Sequence, residues 1–417
     1  MVFWRSSDMQ SSGWDLVRLE DLLESVFAGA WGESPTGVRK PNVRVLRATN
    51  IDSEGRVDYS RPALRVLEAR EISRRRLHPG DLLLEASGGG PGTPVGRVAL
   101  HDAQSGGLSY ICSNFFRVLR PNVDLVHPEY LAHLLVAAYR SPSIWCYQQQ
   151  TTGLVNLKLG DYLKQSLWIP PVREQVRIVE ILAAFAEAEQ GVEASIAKFE
   201  ALRSGLMEEL AELECRQFGE VLKQGPQNGI YKPATSYGLQ GTPIVRIDSF
   251  SRGKSDLTRG LLRVSVNGGE IARYGLDVGD IVINRVNALD LVGKSTSVRK
   301  LIEPTIFESN MMRCKMHRSL ADPVFTEVWL ESSTVKRHFL ARAKSAISQA
   351  SINGDDVREC PFPRMDVPGQ LAFLERLDAV DGQRLAETAE LAKLRQLKRG
   401  LVDDLLTGRV EVSAQAA

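Results

Sequence analysis

Gly293-Lys294-Ser295 has the ending of a phosphate loop, in which backbone amides curl around a phosphate and a lysine reaches its outer oxygens. The first glycine of that pattern is missing, since position 288 is Ala, and Thr296 to Leu301 lack a helical pattern. The stretch is a poor nucleotide site. Gly88-Gly89-Gly90-Pro91-Gly92 fails the dinucleotide spacing, and Pro91 and Pro94 oppose a helix start, so it reads as a loop. The six histidines show no H-x-x-x-H or H-E-x-x-H spacing that would set two metal ligands on one helical face. No G-x-S-x-G elbow offers a serine nucleophile. The sequence therefore predicts no catalytic residue and no metal site.

Nucleic-acid contacts have better candidates. Gln148, Gln149, Gln150, Thr151 and Thr152 follow Tyr147 in the first half, and Asn284, Arg285 and Asn287 cluster in the second. Gln and Asn can read adenine edges bidentately and Arg can read guanine, while Lys, Arg, Ser and Thr contact phosphates. Arg47, Arg97, Arg246 and Lys294 complete the set. A solvated polar loop is the competing explanation for each segment taken alone.

The elements that would position these residues follow from length and pattern. A chain of 417 residues predicts two or three domains of roughly 100–200 residues each. With 43% hydrophobic and 25% charged residues, it is neither a disordered nor a membrane-embedded composition. The start, Met1 to Arg5, lacks a signal peptide's apolar core, so a cytoplasmic location is expected. Cys112, Cys146, Cys215, Cys314 and Cys360 are scattered without a C-x-x-C pair and read as thiols, not as a disulfide framework. The overall charge of +1 divides into +2 over residues 1–170, −6 over 171–215, +6 over 216–366 and −1 over 367–417. Basic bodies joined by an acidic connector suit a nucleic-acid binder whose globular parts face phosphate.

The chain repeats itself. Residues 175–210 align without a gap on 370–405, with identities that include Gln175/Gln370, Leu182/Leu377, Leu202/Leu397, Gly205/Gly400 and Leu206/Leu401. Ile178, Leu182, Phe185, Ile196, Phe199, Leu202, Leu206 and Leu210 recur close to a 3.5-residue period in the first copy, and Phe373, Leu377, Leu391, Leu394, Leu397, Leu401 and Leu405 in the second. Each copy predicts a helix about 57 Å long, at 1.5 Å per residue. Such a helix needs a partner for its apolar stripe, and the natural partner is the other copy. Upstream, Leu46-Arg47 matches Val245-Arg246 on a strand, and Gly80-Asp81-Leu82 matches Gly279-Asp280-Ile281 as turn then buried strand, at an offset of 199. Ser113-Asn114 is expected to match Ser309-Asn310. The predicted fold class is α+β: two similar globular parts, 1–170 and 216–366, alternating with long helices, 171–215 and 367–408, that pair as an antiparallel coiled coil, with a flexible tail at 409–417.

This plan, together with Trp14-Asp15-Leu16-Val17-Arg18-Leu19-Glu20-Asp21 and Pro170-Pro171-Val172-Arg173-Glu174-Gln175 opening a long helix, resembles the specificity (S) subunit of type I restriction-modification systems. The second helix starts differently, at Val367-Pro368-Gly369-Gln370, without the double proline. The resemblance implies two target-recognition domains that each read half of a split, bipartite DNA site. It also implies paired helices that space the domains and dock two methyltransferase (M) subunits and, in many systems, restriction (R) subunits. It implies no chemistry on this chain: Ile169-Pro170-Pro171-Val172 is no methyltransferase tetrapeptide, and S-adenosylmethionine is expected on the methyltransferase partner. At ~3.4 Å per base pair, a ~57 Å helix caps the half-site spacing at roughly 17 base pairs. Two other readings remain open: an S-like subunit of a non-standard methylation-linked phage-defence complex, and a coiled-coil adaptor that binds no DNA.

Overall fold

A computed structural model describes residues 13–90, 92–103, 106–150, 153–250, 256–345 and 349–410. Thr151 and Thr152, and the expected tail from residue 411 onward, lie outside the described residues. The chain divides into two compact units, residues 1–191 with 390–417, and residues 192–389.

In chain order the first unit contains β1 (Asp15–Arg18), β2 (Leu23–Ala28), β3 (Val43–Leu46), β4 (Ala63–Arg65), α1 (Ala69–Arg75), β5 (Leu82–Glu85) and β6 (Ser87–Gly89). Then come β7 (Val98–Leu100), β8 (Ser109–Cys112), β9 (Phe116–Pro121), α2 (Pro128–Arg140), β10 (Gln148–Gln150), β11 (Val155–Leu157), α3 (Leu159–Leu163) and β12 (Ser166–Ile169). The helix α4 (Val172–Ala211) follows, and its first half belongs to this unit. Strands β2-β9-β5-β7 form an antiparallel sheet, and β3 lies between antiparallel β4 and parallel β8. Because alternate strand residues face opposite sides, the apolar run Leu82-Leu83-Leu84 lets β5 feed two cores. Leu82 and Leu84 pack with Tyr130, Leu131 and Leu135 of α2, while Leu83 packs with Leu46, Phe116 and Val118. Gly80 precedes this strand with φ +97°, a left-handed turn that favours glycine, and Asp81 closes the turn by accepting from the His78 N–H at 2.8 Å.

The second unit repeats the plan. Its elements are β13 (Cys215–Gln217), β14 (Leu222–Asn228), β15 (Thr242–Val245), β16 (Leu262–Val264), α5 (Gly268–Tyr274), β17 (Ile281–Asn284), β18 (Val286–Asn287) and β19 (Ser295–Ser297). They continue through β20 (Ile306–Phe307), β21 (Met311–Met316), α6 (Pro323–Leu330), α7 (Ser333–Arg342), β22 (Lys344–Ser345), β23 (Ala350–Ser351), α8 (Gly354–Arg358) and β24 (Pro361–Pro363) to α9 (Val367–Leu406). Sheet β14-β21-β17-β19 reproduces β2-β9-β5-β7, and β16-β15-β20 reproduces β4-β3-β8, including the one parallel pairing. Gly279 has φ +92°, and Asp280 accepts from the Asp277 N–H at 2.9 Å, so the turn before β17 is also the same.

The pairing register corrects one sequence match. Ser113 donates its N–H to Leu46 O, and the counterpart of that bond runs from Glu308 to Val245 O. Ser113 therefore stands opposite Glu308, not Ser309. The offset has already fallen to 195 at this turn, and a serine one residue later imitated the match.

The long helices pack against each other inside each unit. In the first, Ile178 and Leu182 of α4 share a core with Leu405 and Leu406 of α9, and Lys398 pairs with Glu189 at 2.9 Å. In the second, Leu206 and Leu210 meet Phe373 and Leu377, with Arg203–Asp381 at 3.2 Å and Arg376–Glu209 at 3.0 Å. Ascending numbers on α4 meet descending numbers on α9, so the pairing is antiparallel, as the shared stripe predicted. Each fully buried leucine contributes about 1.5–3 kcal/mol, whereas the exposed ion pairs add at most about 1 kcal/mol each. The buried seam is narrower than the sequence stripe. Leu391 is buried, and Phe185, Ile196, Phe199, Leu394 and Leu401 are half-buried, but Leu202 and Leu397 stay 47% and 54% exposed.

Candidate nucleic-acid interface

The expected DNA contacts divide sharply once their surroundings are known. Arg97 is mostly buried: it donates to Glu85 Oε2 and Oε1 at 2.8 and 2.9 Å, to Ile51 O at 2.9 Å and to Ala48 O at 3.3 Å. Lys294 donates through Nζ to Ile247 O at 3.2 Å and Phe250 O at 2.6 Å. Ala48 and Ile51 correspond to Ile247 and Phe250 at the offset of 199, so two chemically different cations clamp the same turn in the two units. Arg47 and Arg246 begin those turns. The Arg47 N–H is accepted by Asn50 Oδ1 at 3.0 Å, and the Arg246 N–H by Ser249 Oγ at 2.9 Å. Arg47 also donates through Nη2 to Arg61 O at 3.0 Å. Arg246 lies 3.5 Å from Asp248 and 3.6 Å from Glu308, over the Tyr237 ring. Burial holds the Glu308 carboxyl above the usual carboxylate range, opposed by the Ile247 N–H it accepts and by Arg246.

Lys294 therefore spends its charge on backbone carbonyls, and Ser295 opens strand β19 paired to Ile283 instead of a helix. Gly293-Lys294-Ser295 builds no phosphate loop.

Gln148 is likewise consumed internally. Its Oε1 accepts from Val95 N at 2.9 Å, and its Nε2 donates to Val95 O and Ile144 O at 3.0 and 2.9 Å. Gln149 is exposed beside it on β10, and Gln150 ends that strand. Asn284 is fully buried at the end of β17, with neither side-chain polar atom hydrogen-bonded. Arg285 and Asn287 are half-buried, and Asn287 Oδ1 accepts from Ala288 N at 2.8 Å.

Two exposed loops were missed by sequence reasoning. After β2, Trp31 is exposed under the guanidinium of Arg65, 4.3 Å from the ring centroid, and the loop rises to Val38, 94% exposed, with exposed Arg39 and Lys40. After β14, Tyr231 is exposed and the loop rises to Leu239, 88% exposed. Both loops leave through a glycine that only glycine can supply. A Cβ on Gly29 would fall 2.2 Å from Cys112 O, and one on Gly229 would fall 2.2 Å from Glu308 O. An aromatic residue two positions after each of these glycines was the available signal. Exposed Arg70 and Arg74 on α1 add charge to the first unit. Exposed rings and cations of this kind can stack on bases and neutralise phosphates. Among the described residues no cluster of three or more His, Cys, Asp or Glu is placed to hold a metal, and no helix is long and apolar enough to cross a membrane.

The comparisons agree with this architecture. Residues 11–198 match the family model of the type I restriction modification DNA specificity domain. The type I restriction enzyme MjaX specificity subunit of Methanocaldococcus jannaschii is 25% identical over 167 residues, 40% of this chain. The chain spans 39% of the length of that curated relative. The fold matches the HsdS subunit from Thermoanaerobacter tengcongensis with a TM-score of 0.53 at 18% identity, covering 96% of this chain and 98% of that one. It also matches, with a TM-score of 0.59 at 17% identity over 95% and 98% of the two chains, a structure described as the basis of complex assembly and conformational transition of the type I R-M system.

Proposed function

Because residues 11–198 match the family model of the type I restriction modification DNA specificity domain, we propose that this chain is the DNA-reading subunit of a type I restriction-modification complex. Residues 1–170 and 216–366 act as two target-recognition domains and each reads one half of a bipartite site. The observation that supports this reading is a duplicated scaffold with non-duplicated exteriors. The clamped turns and sheets correspond residue by residue, while the exposed loops carry Trp31 and Val38 in one unit and Tyr231 and Leu239 in the other. Shared tethers with different tips suit one mode of docking on two different half-sites. Methyltransferase subunits, and in a complete system restriction subunits, dock on the helices, where Leu202 and Leu397 offer repeated exposed apolar side chains. The chain itself is non-catalytic and cytoplasmic in this reading, and S-adenosylmethionine belongs to the methyltransferase.

The test is methylation-sensitive sequencing of DNA from cells that express a cognate methyltransferase with and without this chain. A split motif with methylated adenines that appears only with the chain supports the proposal. Methylation indifferent to the chain overturns it in favour of an adaptor.

A further inference from the structure

The repeat supplies an internal control for buried charge. In the first unit, Arg97 meets Glu85, and Arg120 meets Asp81 at 2.8 Å. The second unit keeps the latter arrangement, with Lys315 against Asp277 and 3.9 Å from Asp280. It also adds a guanidinium that the first unit lacks. Arg313 pairs with Val282 on β17, and the position equivalent by register is Val118, paired with Leu83 and completely buried. An apolar residue satisfies the fold there, so the scaffold does not require an arginine.

Arg313 is only 4% exposed, and among the described residues no carboxylate forms an ion pair with it, although its charge acts on Asp280. Its Nη1 donates to Gly275 O, its Nη2 donates to Gln227 Oε1 at 2.5 Å, and its guanidinium lies over the Phe307 ring. Further N–H donors remain. A buried cation without an anion is costly. Arg313 lines a pocket of about 730 Å³ whose wall also carries Arg273, Lys315, Gln224 and Thr305. Arg273 is exposed at the wall, with its backbone carbonyl accepting from Gln227 Nε2. The cations Arg273, Arg313 and Lys315 outnumber the carboxylates facing them, Asp277 and Asp280.

The geometry points to a phosphate-binding pocket in the second unit, in which Arg313 from the floor and Arg273 from the wall hold the anion and the exposed Gln224 amide offers a hydrogen bond to its oxygens. The phosphate could come from a free phosphorylated small molecule or from the DNA backbone; the chemistry is the same, and experiment separates the sources.

Thermal unfolding of the full chain is measured in millimolar inorganic phosphate and in chloride of matched ionic strength, for the native sequence, Arg313→Val and Arg273→Ala. Arg313→Val installs the residue of the first unit, and Arg273→Ala alters an exposed side chain, so the second variant keeps the test valid if the first fails to fold. A rise in Tm specific to phosphate, lost in Arg313→Val and reduced in Arg273→Ala, supports the pocket with a free ligand. If phosphate gives no rise, but Arg273→Ala lowers the salt-dependence slope of non-specific duplex binding by about one, the pocket holds a backbone phosphate. Equal rises in all three proteins, or no response in either assay, overturn the inference.

Discussion

Gln175 and Gln370 hold the same buried position in the two units and make the same hydrogen bonds. Gln175 Oε1 accepts from His127 N at 2.7 Å while its Nε2 donates to Pro170 O at 2.8 Å and Leu125 O at 3.3 Å. Gln370 Oε1 accepts from Asp322 N at 2.8 Å, and its Nε2 donates to Met365 O and Leu320 O at 2.9 and 3.0 Å. Each amide thus fastens the first turn of a long helix to the loop that starts α2 or α6. Gln175→Leu and Gln370→Leu leave those backbone groups without their partner, at about 1–3 kcal/mol each. Urea unfolding should show a lowered midpoint for each variant. Unchanged midpoints would mean that water replaces the amide freely.

The two clamps predict unequal costs. Arg97→Met leaves the Glu85 carboxylate buried without its cation, a loss of about 3–5 kcal/mol. Lys294→Met leaves the Ile247 and Phe250 carbonyls unbonded, about 1–3 kcal/mol. Denaturation of the two variants under the same conditions should rank Arg97→Met as the weaker protein, and the reverse order would refute the ion-pair account.

Acid should weaken the first unit through His133. Burial pushes its imidazole pKa down to about 4, and like charge from Lys398 and Arg140 acts in the same direction, while Glu129 lies 3.9 Å away. The unfolded chain takes up this proton near pH 6.5 and the folded one only near 4. The contribution is therefore fully present above about 6.5 and is lost progressively as pH falls toward 4. His133→Gln should flatten the stability profile between those limits. A profile as steep as that of the native sequence would place the effect elsewhere.

The large design was legible in the sequence because its signals are periodic. The spacing of Ile178, Leu182, Leu206 and Leu210, repeated at Phe373, Leu377, Leu401 and Leu405, marks two helices that pair, and Gly80-Asp81 with Gly279-Asp280 marks one turn twice. The interface was not legible at the same level, because a residue type does not reveal where its hydrogen bonds go. Gln148 looked free to read a base, yet the backbone of Val95 and Ile144 occupies its amide. Asn284 looked like a surface amide, yet it closes a buried strand. Arg97 and Lys294 hid their equivalence by being different residues that reach the same carbonyls.

Trp31 and Tyr231 should act on separate half-sites. If the duplicated loops carry recognition, Trp31→Ala weakens binding to duplexes that keep one half-site and leaves the other unaffected, and Tyr231→Ala does the converse. The loss of one aromatic stacking contact corresponds to about tenfold in affinity. Fluorescence anisotropy with half-site-scrambled duplexes would check this, and parallel losses on both half-sites would contradict it.

The helices should act as a length standard for the target. Two tethered readers gain effective concentration only when the half-site spacing fits the tether. Removing Ala194–Ala197 with their repeat counterparts Ala389–Ala392 takes one turn from each helix. At 1.5 Å per residue and ~3.4 Å per base pair, the recognised gap should shrink by about two base pairs. Because a turn of four residues nearly restores the phase of a 3.6-residue period, the apolar seam is kept close to register. Motif sequencing of methylated DNA from cells carrying the double deletion should therefore return the same two half-sites with a shorter spacer, or no methylation if the shortened pair fails to assemble. Methylation at the original spacing would mean that something other than these helices sets the gap.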